Sequence, residues 1–359
     1  MTSDVVNSVK KPNGLEASVV VNPLDFCDWD KQLANHRDAS FFHSLPWATV
    51  LRETYNHAPL YFCRFEHGNL KQLLPAMEID SPFTGRRGVS LPFADSCSPL
   101  SVGDGDLAPL YEAAILEGYA RKWRHFECRG SFPKWPNAVP SIRFFGHTLR
   151  LDDAEENLFR RFSSAVRRGI RKSSHAGVQI EFGSTVESMR DFCALHAKTR
   201  RRHGLPVQPK AFFDNIARYV LGPGHGFVAV ARYQKQPIAA AMFFSYRNSA
   251  IFKFGASDYA FQSLRPNNLL MWQAFKKLMN EGKRVIDFGR TSIRNLGLRR
   301  YKLGWGTEER QINYFKYDLE KRVFLTERDN AFGWHTSVFR GLPASFSRLA
   351  GVALYRHFS

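Results

Sequence analysis

Between Phe227 and Ser292 the apolar positions change their spacing once, and the rest of the chain can be read around that change. Three short runs rich in Val, Ile, Phe and Tyr come first: Phe227–Arg232, Ile238–Ser245 and Ala250–Phe254. The polar turn Tyr233-Gln234-Lys235-Gln236-Pro237 divides the first two, so the pattern predicts an antiparallel meander. From Leu269 to Glu281 the spacing lengthens. Leu269, Trp272, Phe275 and Leu278/Met279 recur every three or four residues, the period of a one-faced helix, and Pro266-Asn267-Asn268 supplies its start. Gly282 closes the helix and Arg284–Phe288 predicts a further strand. The loop feeding this helix is a natural seat for a polar ligand, because the first N–H groups of a helix lack internal partners.

The same reading covers the remainder. Pro23–His36 and Ser44–Tyr55 predict helices, and Leu60–Glu66 and Lys71–Ile79 a strand pair about His67-Gly68-Asn69. The loop-like stretch Ser81–Gly103 contains SLPFADSCSPL. Helix Leu107–Trp123, strand His125–Arg129, the connector FPKWPNAVP and strand Ile142–Leu151 follow. Strand Val178–Phe182 and helices Val186–His203 and Pro209–Val220 then lead into the meander. The order helix, helix, strand, turn, strand thus occurs twice, over Pro23–Ile79 and Val186–Ser245. Local phrases repeat with it, DFCDWDKQL against DFCALHAKT, which points to two related domains.

Between the repeats lies DAEENLFRRFSSAVRRGIRKSSHAG, Asp153 to Gly177. Its acidic first turn and basic remainder suit the macrodipole of a helix. Leu158, Phe162, Ala165, Val166 and Ile170 are available to a core. Arg160, Arg161, Arg167, Arg168, Arg171 and Lys172 form either a solvated face or an anion-binding one. Gly169 is a weak point in the helix. The expected division is therefore a first domain over residues 20–150, a basic bridging helix and strand over 151–180, a second domain over 181–325 and a C-terminal extension over 326–359. Residues before Val19 read as a flexible lead-in. The extension reads as an amphipathic helix or a surface segment touching a membrane or partner.

Composition sharpens this in two places. A chain of 359 residues exceeds the usual single core, and a formal charge of +18 demands an anionic partner: a phosphorylated small molecule, tRNA, DNA or an anionic membrane face. The cysteines, Cys27, Cys63, Cys97, Cys128 and Cys193, are scattered, with neither metal-ligand spacing nor a disulfide framework. The N-terminal residues contain no apolar run of signal-peptide length, so a cytoplasmic protein is expected, in peripheral contact with the inner membrane at most.

The ordered set SLPFADSCSPL, AVRRGIRKSSHAGV, HAKTRRRHGLPVQPKAFF, KFGASDYAFQSLRPNNLLMWQAFKKLMNEG and VIDFGRTSIRNLGLRRYKLGWG resembles the FemAB-like branch of the GNAT acyltransferase superfamily. It is most similar to FemAB-related proteins associated with exopolysaccharide and exosortase/PEP-CTERM gene systems, over about Phe26 to Phe324. The resemblance implies an α+β fold with two tandem GNAT-like domains, each a mixed, largely antiparallel sheet flanked by helices. It also implies an acyl- or aminoacyltransferase acting on an amine of a cell-envelope or exopolysaccharide precursor. The donor would be aminoacyl-tRNA or acyl-CoA, and the acceptor a lipid- or nucleotide-linked saccharide precursor. One departure bears on the donor. Where a CoA-binding GNAT has a glycine loop, this chain has Gln262-Ser263-Leu264-Arg265-Pro266-Asn267-Asn268, in which Pro266 removes an amide donor. Nor is there a heptad stretch to form the coiled-coil arm that many relatives use for tRNA.

Acyl transfer to an amine needs a positioned nucleophile, a route for its proton, donors at the developing oxyanion and an anchor for the donor's phosphates. For the proton and oxyanion the candidates are Asp287, Asp258, Lys253 and His196. Asp287 follows an apolar strand and needs a partner, either Arg290 or a substrate amine. Asp258 is a proton acceptor or a turn cap. Lys253 sits on an inner or a surface strand, and His196 shares a helix face with Arg200 unless it belongs to the core. For the donor the candidates are Arg265, Asn267 and Asn268 in the loop, Arg290 and Arg294 after the strand, and Lys302 and Trp305 in the Gly-containing turn RRYKLGWG. Cys97 has no His or Asp partner by spacing. A CoA-dependent N-acetyltransferase and a non-catalytic nucleic-acid-binding protein are the competing readings.

Overall fold

The computed structural model describes residues 17–130, 138–151, 154–327, 351 and 354–357. Most of the FPKWPNAVP connector, Asp153, most of the lead-in and nearly all of the C-terminal extension lie outside the described residues. The chain divides into two compact units, Met1–Ile142 with Asn313–Glu327, and Arg143–Ile312 with Arg328–Ser359.

In the first unit β1 (Val19–Val21), β2 (Tyr61–Glu66) and β3 (Asn69–Leu74) pair antiparallel, with α1 (Leu45–Tyr55) preceding β2. The strand expected over Lys71–Ile79 is two strands, because Pro75 cannot donate to a ladder; β4 (Met77–Ile79) pairs instead with β5 (Arg87–Val89). The helix expected over Pro23–His36 is also broken, into turns at Pro23–Asp25 and Leu33–Asn35 around one α-turn at Trp29–Gln32. Fully buried Trp29 anchors this segment by donating its Nε1–H to His43 O at 3.0 Å. Helix α2 (Ala108–Ala120) and β6 (His125–Arg129) complete a core of Phe62, Leu74, Leu110, Tyr111, Trp123 and Phe126.

The second unit starts with β7 (Ile142–Arg150). The basic segment belongs to this unit and is two helices rather than one, α3 (Glu155–Arg161) and α4 (Ser164–His175). The break has a cause: Phe162 turns inward onto Trp272 and Trp305, and the Ser163 hydroxyl accepts the Val166 N–H to start a new helix. The chain continues as β8 (Gln179–Gly183), α5 (Val186–His203), α6 (Lys210–Ile216), β9 (Gly226–Tyr233), β10 (Gln236–Tyr246), β11 (Ser249–Ser257), α7 (Pro266–Asn280) and β12 (Val285–Ser292). The expected meander is present, β8 to β11 in antiparallel order. Its strands are buried on both faces because alternate residues meet different helices. Ala229, Ala231, Ala241 and Phe243 share a core with Leu270, Ala274 and Phe275 of α7, while α5 also packs on β9 and β10.

Helix α8 (Leu296–Leu303) occupies a stretch expected to be a Gly-rich turn, and the Asn295 side chain caps it by accepting the Leu298 N–H at 3.0 Å. Strand β13 (Glu308–Asp318) starts in the second unit and ends in the first, where its later residues pair with β6.

Candidate functional site

Two features of the second unit are joined by α8 (Leu296–Leu303). The first is a parting of strands. β11 and β12 run parallel but pair only through Ser249–Ile251 and Val285–Asp287; each strand continues beyond without pairing to the other. At that point β12 bulges against β7, its register shifting between Asp287 and Arg290, with Gly289 at φ +70°. Two side chains hold the bulge. Asp287 Oδ1 accepts the Gly289 N–H at 2.6 Å. The buried Lys302 ammonium donates to Gly289 O at 2.9 Å and Arg290 O at 3.0 Å. The remaining Asp287 oxygen faces Arg310 at 3.3 Å, whereas Arg290 lies over the Phe144 ring at 4.5 Å.

The register leaves His147 of β7 opposite the bulge. Its Nε2 lies 3.1 Å from Glu309 Oε2, and the Arg299 fork grips the same carboxylate at 2.7 and 2.8 Å. Arg299 holds Glu309 below the usual carboxylate range, and burial lowers His147. The His147 Nδ1 has no partner among the described residues. Sequence reasoning missed this group. His147 and Glu309 are 162 positions apart, and neither stands in a motif.

The second feature is a cavity of about 800 Å³ between α4, the start of α7 and α8. Arg168, Arg171, Lys172, Arg265 and Arg300 line it, with no carboxylate in the lining. Among the described residues none of the five forms an ion pair. Two glycines shape it. A Cβ on Gly169 would come within 2.8 Å of the Asn268 side chain, so this glycine lets α4 close on α7. Gly304 accepts the Ser163 N–H at 2.8 Å and ties α4 to the end of α8. A smaller hollow of about 190 Å³ shares Arg265, Asn268 and Tyr301 with the large one and adds Arg202, Ser257 and Asn267.

The backbone at this helix start is largely committed. The Arg265 N–H donates to Gln262 O at 3.1 Å, the Asn268 N–H to Arg265 O at 3.0 Å, and Pro266 has none. Arg265 itself holds the left-handed conformation, φ 58°. A phosphate here would meet guanidinium and ammonium groups, not a nest of amides.

The other expected site residues are dispersed. Asp258 caps the turn Tyr259–Leu264 by accepting the Ala260 N–H at 3.1 Å, and Lys198, 2.6 Å away, holds its carboxyl below the ordinary range. Lys253 lies 5.4 Å over the Phe254 ring. Arg294 is exposed in the turn after β12. His196 is packed among Phe192, Phe213 and Phe254, and burial, with Arg200 nearby, lowers its pKa to about 3. It lines neither hollow and stays neutral. Trp305, expected to wall a pocket, is fully buried against Phe162 and Phe275. Lys302, expected to meet a ligand, is turned instead onto strand carbonyls.

In the first unit Cys97 does have a histidine, His43, with Sγ to Nε2 at 3.5 Å. The pair is not a nucleophile and base. Nδ1 of His43 accepts the Ser40 N–H at 3.1 Å, so the proton of the neutral ring is on Nε2, which donates to Ser98 O at 2.8 Å. Burial raises the thiol pKa and lowers that of His43 to about 4.

Residues 160–309 match the family described as acetyltransferase (GNAT) domain. The second unit has the GNAT acyltransferase fold. Whole-chain likenesses extend this. FemX aligns at TM-score 0.63 and 12% identity, over 82% of this chain and 96% of that one. A tandem GNAT protein from the clavulanic acid biosynthesis pathway aligns at 0.55 and 11%, over 85% and 98%. L-PGS from Bacillus licheniformis aligns at 0.54 and 10%, over 93% and 98%. No curated protein matches the sequence. The α+β fold is therefore two GNAT-like sheet-and-helix domains in tandem, the architecture of GNAT/FemAB-like acyltransferases. Among the described residues no helix is long and apolar enough to cross a membrane.

Proposed function

We propose that this protein is an acyl- or aminoacyltransferase that moves its group from a polyanionic donor to an amine on an envelope precursor, a saccharide linked to lipid or nucleotide. The observation that carries this is the acid-free cationic cavity bordered by α8, the helix whose Lys302 holds the bulge of β12. Arg168, Arg171, Lys172, Arg265 and Arg300 hold the donor's phosphates, with Asn267 and Asn268 at the entrance of α7. The acyl carbonyl lies along the parted strands near Lys253. The amine approaches Asp287, which orients it and takes its proton as the amide bond forms and the donor's ester or thioester bond breaks. Arg290 and Arg294 flank the acceptor.

Of the two donors we favour aminoacyl-tRNA. A CoA pyrophosphate in a GNAT fold relies on backbone amides, and here Pro266 has none while those of Arg265 and Asn268 are already bonded. Side-chain cations suit a larger polyanion. The resemblance of the sequence motifs to exopolysaccharide-associated FemAB-related proteins is our ground for a saccharide precursor as acceptor. A non-catalytic nucleic-acid-binding role accounts for the charge but not for a GNAT fold whose two strands part.

The test is a thermal-shift screen of the pure protein with aminoacyl-tRNA, acyl-CoAs and nucleotide-linked sugars, followed by mass spectrometry of any amide formed. Stabilisation by aminoacyl-tRNA and an aminoacylated acceptor are expected. A shift with acyl-CoA alone would reverse the choice of donor, and binding without turnover against any amine would remove the transferase reading.

A further inference from the structure

Fourteen large apolar side chains are exposed among the described residues, and ten of them are dispersed along the chain from Val20 to Val323. The other four fall in one short stretch: Ile293 at 43%, Leu296 at 63%, Leu298 at 37% and Leu303 at 40% exposed. This stretch is the turn after β12 together with all of α8. It is firmly anchored from below. Asn295 caps the helix, the buried Lys302 ammonium holds two strand carbonyls, and Tyr301 packs edge-on against Trp305 with ring centroids 6.2 Å apart. Its apolar side chains are therefore displayed by the fold and do not result from a fraying end.

The chemistry around them is one-sided. Arg294 and Arg300 are exposed between the aliphatic residues, and no Asp or Glu occurs from Ser292 to Thr307. Gly297, Arg300 and Tyr301 of the same stretch also line the cationic cavity, which puts Arg168, Arg171 and Lys172 at the border of the patch. Leu296 and Leu303, seven positions apart, share one side of α8, while Leu298 turns to another. Aliphatic side chains displayed in water favour an apolar surrounding, and a cationic border favours phosphate at its rim. Single-stranded nucleic acid would match the charge but stacks on aromatic rings, which do not dominate this patch.

We infer that Ile293–Leu303 is the surface by which the protein seats itself on an anionic lipid bilayer. Leu296 and Leu303, with Ile293 of the adjoining turn, enter the boundary between headgroups and acyl chains, and Arg294 meets lipid phosphates. The bilayer then lies at the edge of the cationic cavity. The inference needs no transfer chemistry. Vesicle binding is measured without donor or acceptor, so its failure and that of the proposed reaction are separable.

The experiment is co-sedimentation of the full chain with vesicles of phosphatidylcholine alone and of phosphatidylcholine mixed with an equal share of phosphatidylglycerol. Binding to the mixed vesicles only, weakened by added salt, is expected. The double variant Leu296→Ser/Leu303→Ser should bind roughly 10-fold more weakly or worse at unchanged net charge and unchanged thermal unfolding. Arg294→Gln should weaken binding several-fold, and Val186→Ser, at a residue 86% exposed on α5, should leave it unchanged. Should the double variant fold poorly, Leu296→Gln alone is read in the same way. Equal binding of parent and Leu296 variants would overturn the inference, as would failure of the parent to bind mixed vesicles. So would light scattering showing that the patch joins two copies of the chain while vesicles are ignored.

Discussion

The surroundings of Cys97 in the first unit and the cationic cavity of the second hold their polar groups in opposite ways. In the first, functional-looking side chains are buried and already matched. His43 faces the thiol of Cys97 but is bonded at both ring nitrogens, and Arg129 donates to Glu127 at 2.7 Å beneath the Tyr314 ring. In the second, five cations line an open cavity with no acid among them. A matched buried pair is complete without a ligand, whereas crowded like charges repel each other until a polyanion joins them. Reactive residue types in proximity are thus a poor guide to a site, and unmatched charge beside a cavity is a better one.

That contrast can be broken experimentally. The largest effect is expected from reversing two cavity charges. Arg171→Glu with Lys172→Glu should lower transfer by on the order of 10³-fold, since two charge-assisted contacts become repulsions. Thermal unfolding should hardly move, and a large fall in melting temperature would show that α4 needs those charges for its own packing. Next is Asp287→Asn, which should reduce kcat about 10²-fold if the carboxylate handles the amine proton. Unfolding of that variant would instead make the bond to the Gly289 N–H its main role.

A smaller effect should appear at low pH. His196, with a folded pKa of about 3 against 6.5 for the free side chain, stabilises the fold fully above pH 6.5. As pH falls from there towards 3, the unfolded chain takes up a proton that the folded one refuses, and that stability is lost. His196→Phe should flatten this decline by up to about 1.4 kcal/mol per pH unit in denaturant titrations. An unchanged slope would mean that the ring is already accessible to protons in the native state. The smallest effect is expected from Cys97→Ser, which should alter turnover less than about 2-fold, because the thiol is held protonated in the core. A large loss would return the first unit to consideration as a catalytic centre.

Local spacing was a good guide wherever one face of an element is buried. The meander, α5 at Val186–His203 and α7 all stand where the apolar periods put them. It failed where neighbours decided the conformation. The basic segment breaks at Phe162 because two tryptophans receive that ring, and α8 forms although its sequence reads as a turn, because Asn295 caps it and Lys302 pins its inner side. Lys302 and Trp305 were noticeable for their glycine neighbours. Those glycines serve chain approach to α3 and α4, and both side chains are turned inward.

By itself, then, the sequence determined a doubled α+β chain, a strongly basic character and a polar loop ahead of one helix. These follow from period and composition, which act within a few residues or over the whole chain at once. The tertiary structure alone decided which cations face a common cavity, that Arg310 approaches Asp287, and that His147 meets Glu309. Such meetings depend on strand register and on where two strands stop pairing, and neither leaves a mark in local spacing.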